Sequence, residues 1–346
     1  MATLCYVLTG RDPRQHQELS YSILSALKQG LEGVEILLVC DAENRRTELP
    51  VGHMDISTDQ MERWTEAGRY PAHTRLHALQ MVLEKTDGPV CLVETDTAFK
   101  AAPGELFNRI TQKTPLLHDR AGWLSSRPEW GPLIDACRDT PEETLVHTGA
   151  EVFDTATIGL LPVHADCIKK TISLSKSLTD TATAHEKEQF LLGAALLSHS
   201  GDLSFSDDIV THYAGYMRHV YHGRFDVMFP AGAAVNTALA HQLPDVAEPP
   251  KPLLLQLKAK YYALRHGLGR GTQFGYLAYL CAFAAPTAEG RNVWANIALD
   301  MMERSERPAA QLQRDLPKLA PDALTQAELA PATEARWRGF WASKDL

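Results

Sequence analysis

The part of this sequence best equipped for chemistry is GPVCLVETDTAF, residues 88–99, where an apolar run ends without a turn residue in Glu94-Thr95-Asp96. Carboxylates at alternate positions, where a strand is ending and loosening, can both be directed at one hard cation. Mg2+ and Mn2+ prefer oxygen ligands and complete their shells with substrate phosphates. A cation held in this way would neutralise a departing diphosphate, a Lewis-acid effect on the leaving group where charge develops. The same residues also have a local use, because Asp and Thr cap turns and helix starts and a carboxylate can meet an arginine. Both readings stand at this level.

Such residues act together only if secondary structure gathers them, and the first ninety-nine residues repeat one pattern. LCYVLTG is an apolar run ending in Thr9-Gly10, followed by Leu19, Ile23, Leu24 and Leu27 at helical spacing. VEILLVCD is a second run, ending at Asp41. After an irregular polar stretch, HTRLHALQMVLEK places Leu76, Leu79, Val82 and Leu83 at helical spacing, and PVCLVETD supplies a third strand. Alternating strands and helices of this kind predict an α/β fold with a mostly parallel central sheet covered on both faces.

Ligands of open α/β sheets collect at the carboxyl ends of the strands, which is where Thr9, Gly10 and Arg11, Asp41, and Glu94, Thr95 and Asp96 fall. Asp41 is placed to accept hydrogen bonds from a ribose or base, or to cap the turn in CDAENR. Gly10-Arg11-Asp12-Pro13 is not the GxGxxG of dinucleotide-binding proteins, and no GxxxxGK[ST] occurs.

Further along, EWGPLIDACRD is helical in pattern, EVFDTATIGLLPV reads as a strand pair around a tight turn, and ADCIKKTISLSKSL and HEKEQFLLGAALL read as helices. DIVTHYAGYMRHVYHGRF begins as a strand and turns irregular. A polar, proline-bearing connector, HQLPDVAEPPKP, then leads into alanine- and leucine-rich helical sequence. A catalytic domain of 1–235 and a C-terminal helical extension of 236–346 are expected. The net charge of −9 argues against a protein that grips nucleic-acid backbones. Six cysteines without CxxC spacing read as reduced core thiols. With no basic region before the first apolar residues and no apolar run long enough to span a bilayer, a cytoplasmic location is expected.

The chain resembles the nucleotide-sugar-dependent glycosyltransferases of the GT-A fold. LVETDTAF is similar to their DxD motif, with Glu94 for the first aspartate. VFDTATIGL, residues 152–160, is similar to the family's FNxGVxGL segment beside the acceptor, with Asp154 or Thr155 and Ala156 in place of its Asn and Gly. HEKEQFLLGAAL resembles the helix that carries an acidic or amide residue at the reaction centre. IVTHYAGYMRHVYHGRF is similar to the HYxG…K segment of the retaining, galactosyltransferase- and galactinol-synthase-like branch.

The resemblance implies a divalent cation, Mn2+ or Mg2+, held by Glu94, Asp96 and His212. It implies donor contacts from Arg75, Thr95, Gly215 and Arg218 beside those of Thr9, Gly10, Arg11 and Asp41, with Arg75 reaching the diphosphate or the DxD carboxylate. The implied reaction moves a sugar from a nucleotide-diphosphate donor, a UDP-sugar foremost, to a hydroxyl of a glycan, lipid-linked or protein acceptor. Asp154 and Glu188 are candidate general bases if the enzyme inverts, and Gln189 is a candidate assisting amide if it retains. Glu186 and Glu188 can equally form a solvated helix face. A nucleotidyltransferase and a noncatalytic binder of sugar nucleotides or glycans are the alternatives. Residues 251–270, KPLLLQLKAKYYALRHGLGR, fit either a peripheral contact with the inner face of a membrane or a helix packing its leucines on the catalytic domain.

Overall fold

A computed structural model describes residues 1–178, 184–229, 235–243, 245–303 and 328–343. The chain divides into two units: Met1–His212 with Ala234–Leu243, and Tyr213–Ala233 with Pro244–Leu346. Residues 213–233, which the sequence pattern grouped with the N-terminal part, thus fall with the C-terminal helices.

The first unit opens with β1 (Ala2–Leu8), α1 (Pro13–Gln29) and β2 (Val34–Cys40). Helix α1 starts where Asp12 accepts a hydrogen bond from Arg14 N and Pro13 presets the first turn, and it ends at Gly30, whose φ of 91° suits glycine. β3 (Gly52–Asp55), α2 (Thr58–Thr65), α3 (His73–Leu83) and β4 (Val90–Val93) follow, then β5 (Thr97–Phe99) and α4 (Gly104–Phe107). β6 (Leu116–Trp123), α5 (Gly131–Cys137), β7 (Glu151–Leu160), α6 (Ala165–Ser177), α7 (Ala184–Ser200), β8 (Ser204–Phe205) and β9 (Val210–His212) complete it.

Seven strands form one sheet in the order β3-β2-β1-β4-β7-β6-β8. β1 to β4 run parallel, β7 is antiparallel to both β4 and β6, and β6 and β8 are parallel. The expected α/β architecture with a mostly parallel central sheet is therefore present. Burial explains it: Leu4, Cys5, Tyr6, Val90, Cys91 and Leu92 are covered on both sheet faces, as parallel strands under helices require. All six cysteines are free and buried.

Three local expectations change. EVFDTATIGL is one ten-residue strand, not a pair around a turn, because Thr155, Ala156 and Thr157 are strand-compatible and their backbone continues the ladder to β4. The segment after His212 forms helix α8 (Met217–Met228) where irregular chain was expected. The polar stretch between β2 and α3 also holds the edge strand β3 and helix α2, whose Ser57 side chain accepts from Gln60 N.

Among the described residues, the second unit contains α8, α9 (Leu253–His266), α10 (Arg270–Ala284), α11 (Ala288–Glu303) and α12 (Pro331–Ala342). Its core gathers Tyr276, Tyr279, Trp294, Ile297, Trp337 and Trp341, which are too bulky for the inside of any one helix and must interdigitate between them. The helical C-terminal region expected from the sequence is present. No helix among the described residues is long and apolar enough to cross a membrane.

Gly159 of β7 has no room for a side chain. A Cβ there would lie 2.6 Å from Ile110 Cδ1 and 2.8 Å from Leu116 Cβ, the second of which is fixed to the backbone of β6. Gly159→Ala is expected to cost about 1–3 kcal/mol by overpacking. Urea unfolding should show a lower midpoint at unchanged slope; an unchanged midpoint would mean the β6–β7 contact can relax.

Candidate metal centre

Strand β4 stops at Val93, although the Glu94 amide still donates to Ala156 O at 2.8 Å. The chain then turns, and the turn is secured by side chains: Thr97 Oγ1 donates to Glu94 O at 2.8 Å and lies 2.8 Å from Ser22 Oγ, which in turn meets Tyr6 OH at 2.9 Å. The Phe99 amide donates to Ser25 Oγ at 2.9 Å. Three hydroxyl residues of α1 and β1 thus fix the path of residues 94–99, and β5 leaves this turn to pair antiparallel with β9. That register sets His212 opposite Thr97.

The result is a cluster. His212 Nε2 lies 3.5 Å from Asp96 Oδ2 and 3.9 Å from Glu94 Oε2, and one ligand atom each from Glu94, Asp96 and His212 falls within 4.8 Å of the others. Asp96 is buried, while Glu94 and His212 are half-buried. The three residues expected to hold a cation are thus brought together from the end of β4, the turn after it and β9. Their donor set of two carboxylates and one imidazole fits Mn2+ somewhat better than Mg2+, since nitrogen is a borderline ligand. A second group, His118, Asp154 and His212, shares the imidazole.

Asp154 is placed differently from the role of a base on an acceptor. Its Oδ2 is 2.8 Å from His212 Nδ1 and its Oδ1 accepts from the Ala156 amide at 2.8 Å. With the proton of Nδ1 held by Asp154, Nε2 is the nitrogen turned toward Glu94 and Asp96, the arrangement that orients metal-binding histidines. Burial opposes a charge on His212, but hydrogen bonds to Asp154 and Asp96 and their negative charge outweigh it and push its pKa up to about 10. The Asp154 carboxyl, which burial alone would raise, is held below its ordinary value chiefly by His212.

Arg75, on α3, pairs with Glu94 and donates from Nη2 to Thr155 O at 2.7 Å, so it reaches the carboxylate, one of its two expected partners. Thr95 donates from Oγ1 to Glu18 Oε2 of α1 at 3.3 Å. Beside Arg75, a pocket is lined by Leu76, Thr155, Glu188, Gln189 and Leu192. Glu188 is buried, not on a solvated face, and its Oε1 lies 3.0 Å from His73 Nε2, which also meets Ser175 Oγ at 2.6 Å. The side chain of Glu186 lies outside the described residues.

The other expected donor residues are Thr9, Gly10, Arg11, Asp41, Gly215 and Arg218. Asp41 spends both carboxylate oxygens on its own turn: Oδ1 accepts from the Glu43 and Asn44 amides and Oδ2 from Asn44 Nδ2. Arg11 is exposed and pairs with Glu43, next to Thr9 and Gly10, the latter at φ 91°. Gly215 and Arg218 belong to the second unit. Glu18, His73 and His118 escaped the sequence reading. A glutamate on α1 with 3% exposure carries no local signal, and the two histidines gain meaning only from strands and helices distant in sequence.

No protein-family model matches the chain, and no curated protein matches it. Among solved structures it is similar to mouse xyloside xylosyltransferase 1 in its apo form, at 12% identity and a TM-score of 0.42, over 68% of this chain and 96% of that one.

The raised pKa of His212 has a measurable consequence in metal-free buffer. Its folded value near 10 exceeds the ordinary unfolded value, so the stability it contributes is full below about pH 6.5 and is lost as pH rises toward 10. Urea unfolding with chelator present should show stability declining over that window in the native chain and a flatter profile in His212→Gln. Parallel profiles would show that the imidazole is not protonated by its carboxylate neighbours.

Proposed function

We propose that the first unit is a metal-assisted glycosyltransferase of the GT-A kind, taking a sugar from a nucleotide-diphosphate donor, with UDP-sugars favoured, and passing it to a hydroxyl acceptor. The observation that carries this reading is the meeting of Glu94, Asp96 and His212 at the carboxyl end of β4, beside the point between β1 and β4 where the strand order reverses. Switch points of open α/β sheets are where such folds bind their ligands.

Glu94, Asp96 and His212 would hold the cation, which when bound offsets the charge of the departing diphosphate. The chain's own residues prepare that event. Asp154 keeps the Nδ1 proton of His212 and frees Nε2 for coordination. Arg75 balances the carboxylate charge and anchors Glu94 to the backbone of β7 through Thr155. Its guanidinium also gives the neighbouring pocket a cationic wall suited to phosphate oxygens.

Glu188 and Gln189 line that same pocket and supply the groups an acceptor would need: a carboxylate to take a hydroxyl proton, and an amide to stabilise charge on the sugar's reacting face. Glu188 beside His73 is the better base, because Asp154 is committed to His212. Gln189 keeps the retaining course open, in which the leaving phosphate itself receives the acceptor proton.

Calorimetric titration with UDP and then GDP, with and without Mn2+, is the direct test. Metal-dependent binding of UDP is expected, and Asp96→Asn should weaken it by about a hundredfold or more, since partners one shell further out already contribute 10–100-fold. Binding of neither nucleotide by a folded native chain would remove the reading. Asp154→Asn should weaken Mn2+ binding by about 10–100-fold through His212 alone. An unchanged Mn2+ affinity would show that Asp154 does not orient the ligand. Glu188→Gln should leave nucleotide affinity intact and lower sugar transfer by about 10²–10⁴-fold; full transfer in that variant would exclude Glu188 as the base.

A further inference from the structure

Helix α9 of the second unit is turned inside out. Its exposed positions include Leu253, Leu254, Leu257, Tyr261 and Leu264, with exposures between 56% for Leu257 and 78% for Leu254. The residues it buries are small, Ala259 and Ala263, with Leu255 and Tyr262 partly covered against the unit's core. A helix that merely packed on its own unit would place the leucines inward and the alanines at the margin.

The arrangement of the exposed residues is ordered. At about 100° per residue, Leu253, Leu264, Leu257, Tyr261 and Leu254 fall in that sequence across one arc of about 100°. Lys260 borders this arc on one side, and Arg265 and Lys258 border it on the other. All three are exposed, and none is in an ion pair among the described residues. Lys251, by contrast, is used internally: it pairs with Glu248 at 2.6 Å and faces the rings of Tyr216, Phe274 and Trp294.

Charge along the sequence points the same way. From 249 to 288 there is no Asp or Glu, in a chain that carries 43 of them and a net charge of −9, while Lys251, Lys258, Lys260, Arg265 and Arg270 all fall within that stretch. A leucine stripe alone would suit many apolar partners. A leucine stripe with cations along both edges, set in an acid-free stretch of an acidic protein, matches a surface that is apolar below and negative at its rim.

The geometry points to α9 as an interfacial helix that lies in the plane of an anionic lipid bilayer. Leu253, Leu254, Leu257 and Leu264 enter the acyl boundary, and Lys258, Lys260 and Arg265 reach back to the headgroup phosphates. Tyr261 sits within the stripe with its hydroxyl able to rise to the headgroup level, as amphipathic aromatic rings do. Each cation close to such a surface multiplies affinity about fivefold, so the three together contribute about a hundredfold. This inference rests on the second unit alone and stands whether or not the first unit transfers sugars.

Cosedimentation of the full chain with vesicles tests it, using phosphatidylcholine alone and phosphatidylcholine with about a third phosphatidylglycerol. The native chain should pellet with the anionic vesicles, weakly with the neutral ones, and less as salt is raised. Lys258→Glu/Lys260→Glu/Arg265→Glu should reduce binding by about a hundredfold or more. Leu254→Ser/Leu257→Ser/Leu264→Ser should reduce it on both lipids, and because these positions are exposed the variants should keep the native thermal midpoint. Equal binding to both lipids, or binding that neither variant alters, would overturn the proposal. So would a concentration-dependent dimer in lipid-free solution that the leucine variant dissolves, since the stripe would then be covered by a second copy of the chain.

Discussion

Three carboxylates around one imidazole impose the main constraint on the first unit. Glu94, Asp96 and Asp154 all approach His212, and all are at least half-buried, where like charges repel more strongly than in water. Such a cluster holds together only if positive charge is supplied. The guanidinium of Arg75 on Glu94 supplies one such charge, and the carboxylates around His212 favour its protonated form as a second. The hydroxyl chain from Tyr6 through Ser22 to Thr97 then acquires a purpose beyond filling space, since it fixes the turn that brings Asp96 to the imidazole while β5 carries β9 alongside.

The same constraint decides which parts of the site were legible in the sequence. Glu94 and Asp96 stand two residues apart after an apolar run, and the period of a strand alone suggests that they converge. His212 is 116 residues further on, and its arrival depends on the pairing of two three-residue strands, for which periodicity gives no signal. Only the resemblance of its surrounding segment to a known motif pointed there. Asp41 shows the opposite case. Its position at a strand end allowed a ligand contact or a turn cap, and in the structure its carboxylate accepts from two backbone amides of its own turn.

Fold legibility followed burial in the same way. β1, β2 and β4 are covered on both faces and read as continuous apolar runs, whereas β6 changes from buried to exposed after His118 and carries two register shifts, so its LLHDRAGW has neither a run nor an alternation. β3 lies at the sheet edge with no fully buried residue. The single strand Glu151–Leu160 reads from its sequence as a strand pair around a tight turn. In the structure Asp154 stays in the ladder, since its side chain finds the Ala156 amide and His212 instead of forming a turn.

Arg75 links these considerations to function. A guanidinium on Glu94 keeps the carboxylate in place in the protein alone, yet it occupies part of the charge a cation would use. Glu94, Asp96 and His212 would hold a cation only with the imidazole neutral, so coordination would compete with its protonation, while Arg75 lines the same pocket as Glu188 and Gln189. On the proposed reading the two compensating positive charges would have different fates: His212 would give up a proton on coordination, and Arg75 would remain beside the pocket. Without a ligand, these two positive charges keep Glu94, Asp96 and Asp154, one buried and two half-buried, from standing uncompensated.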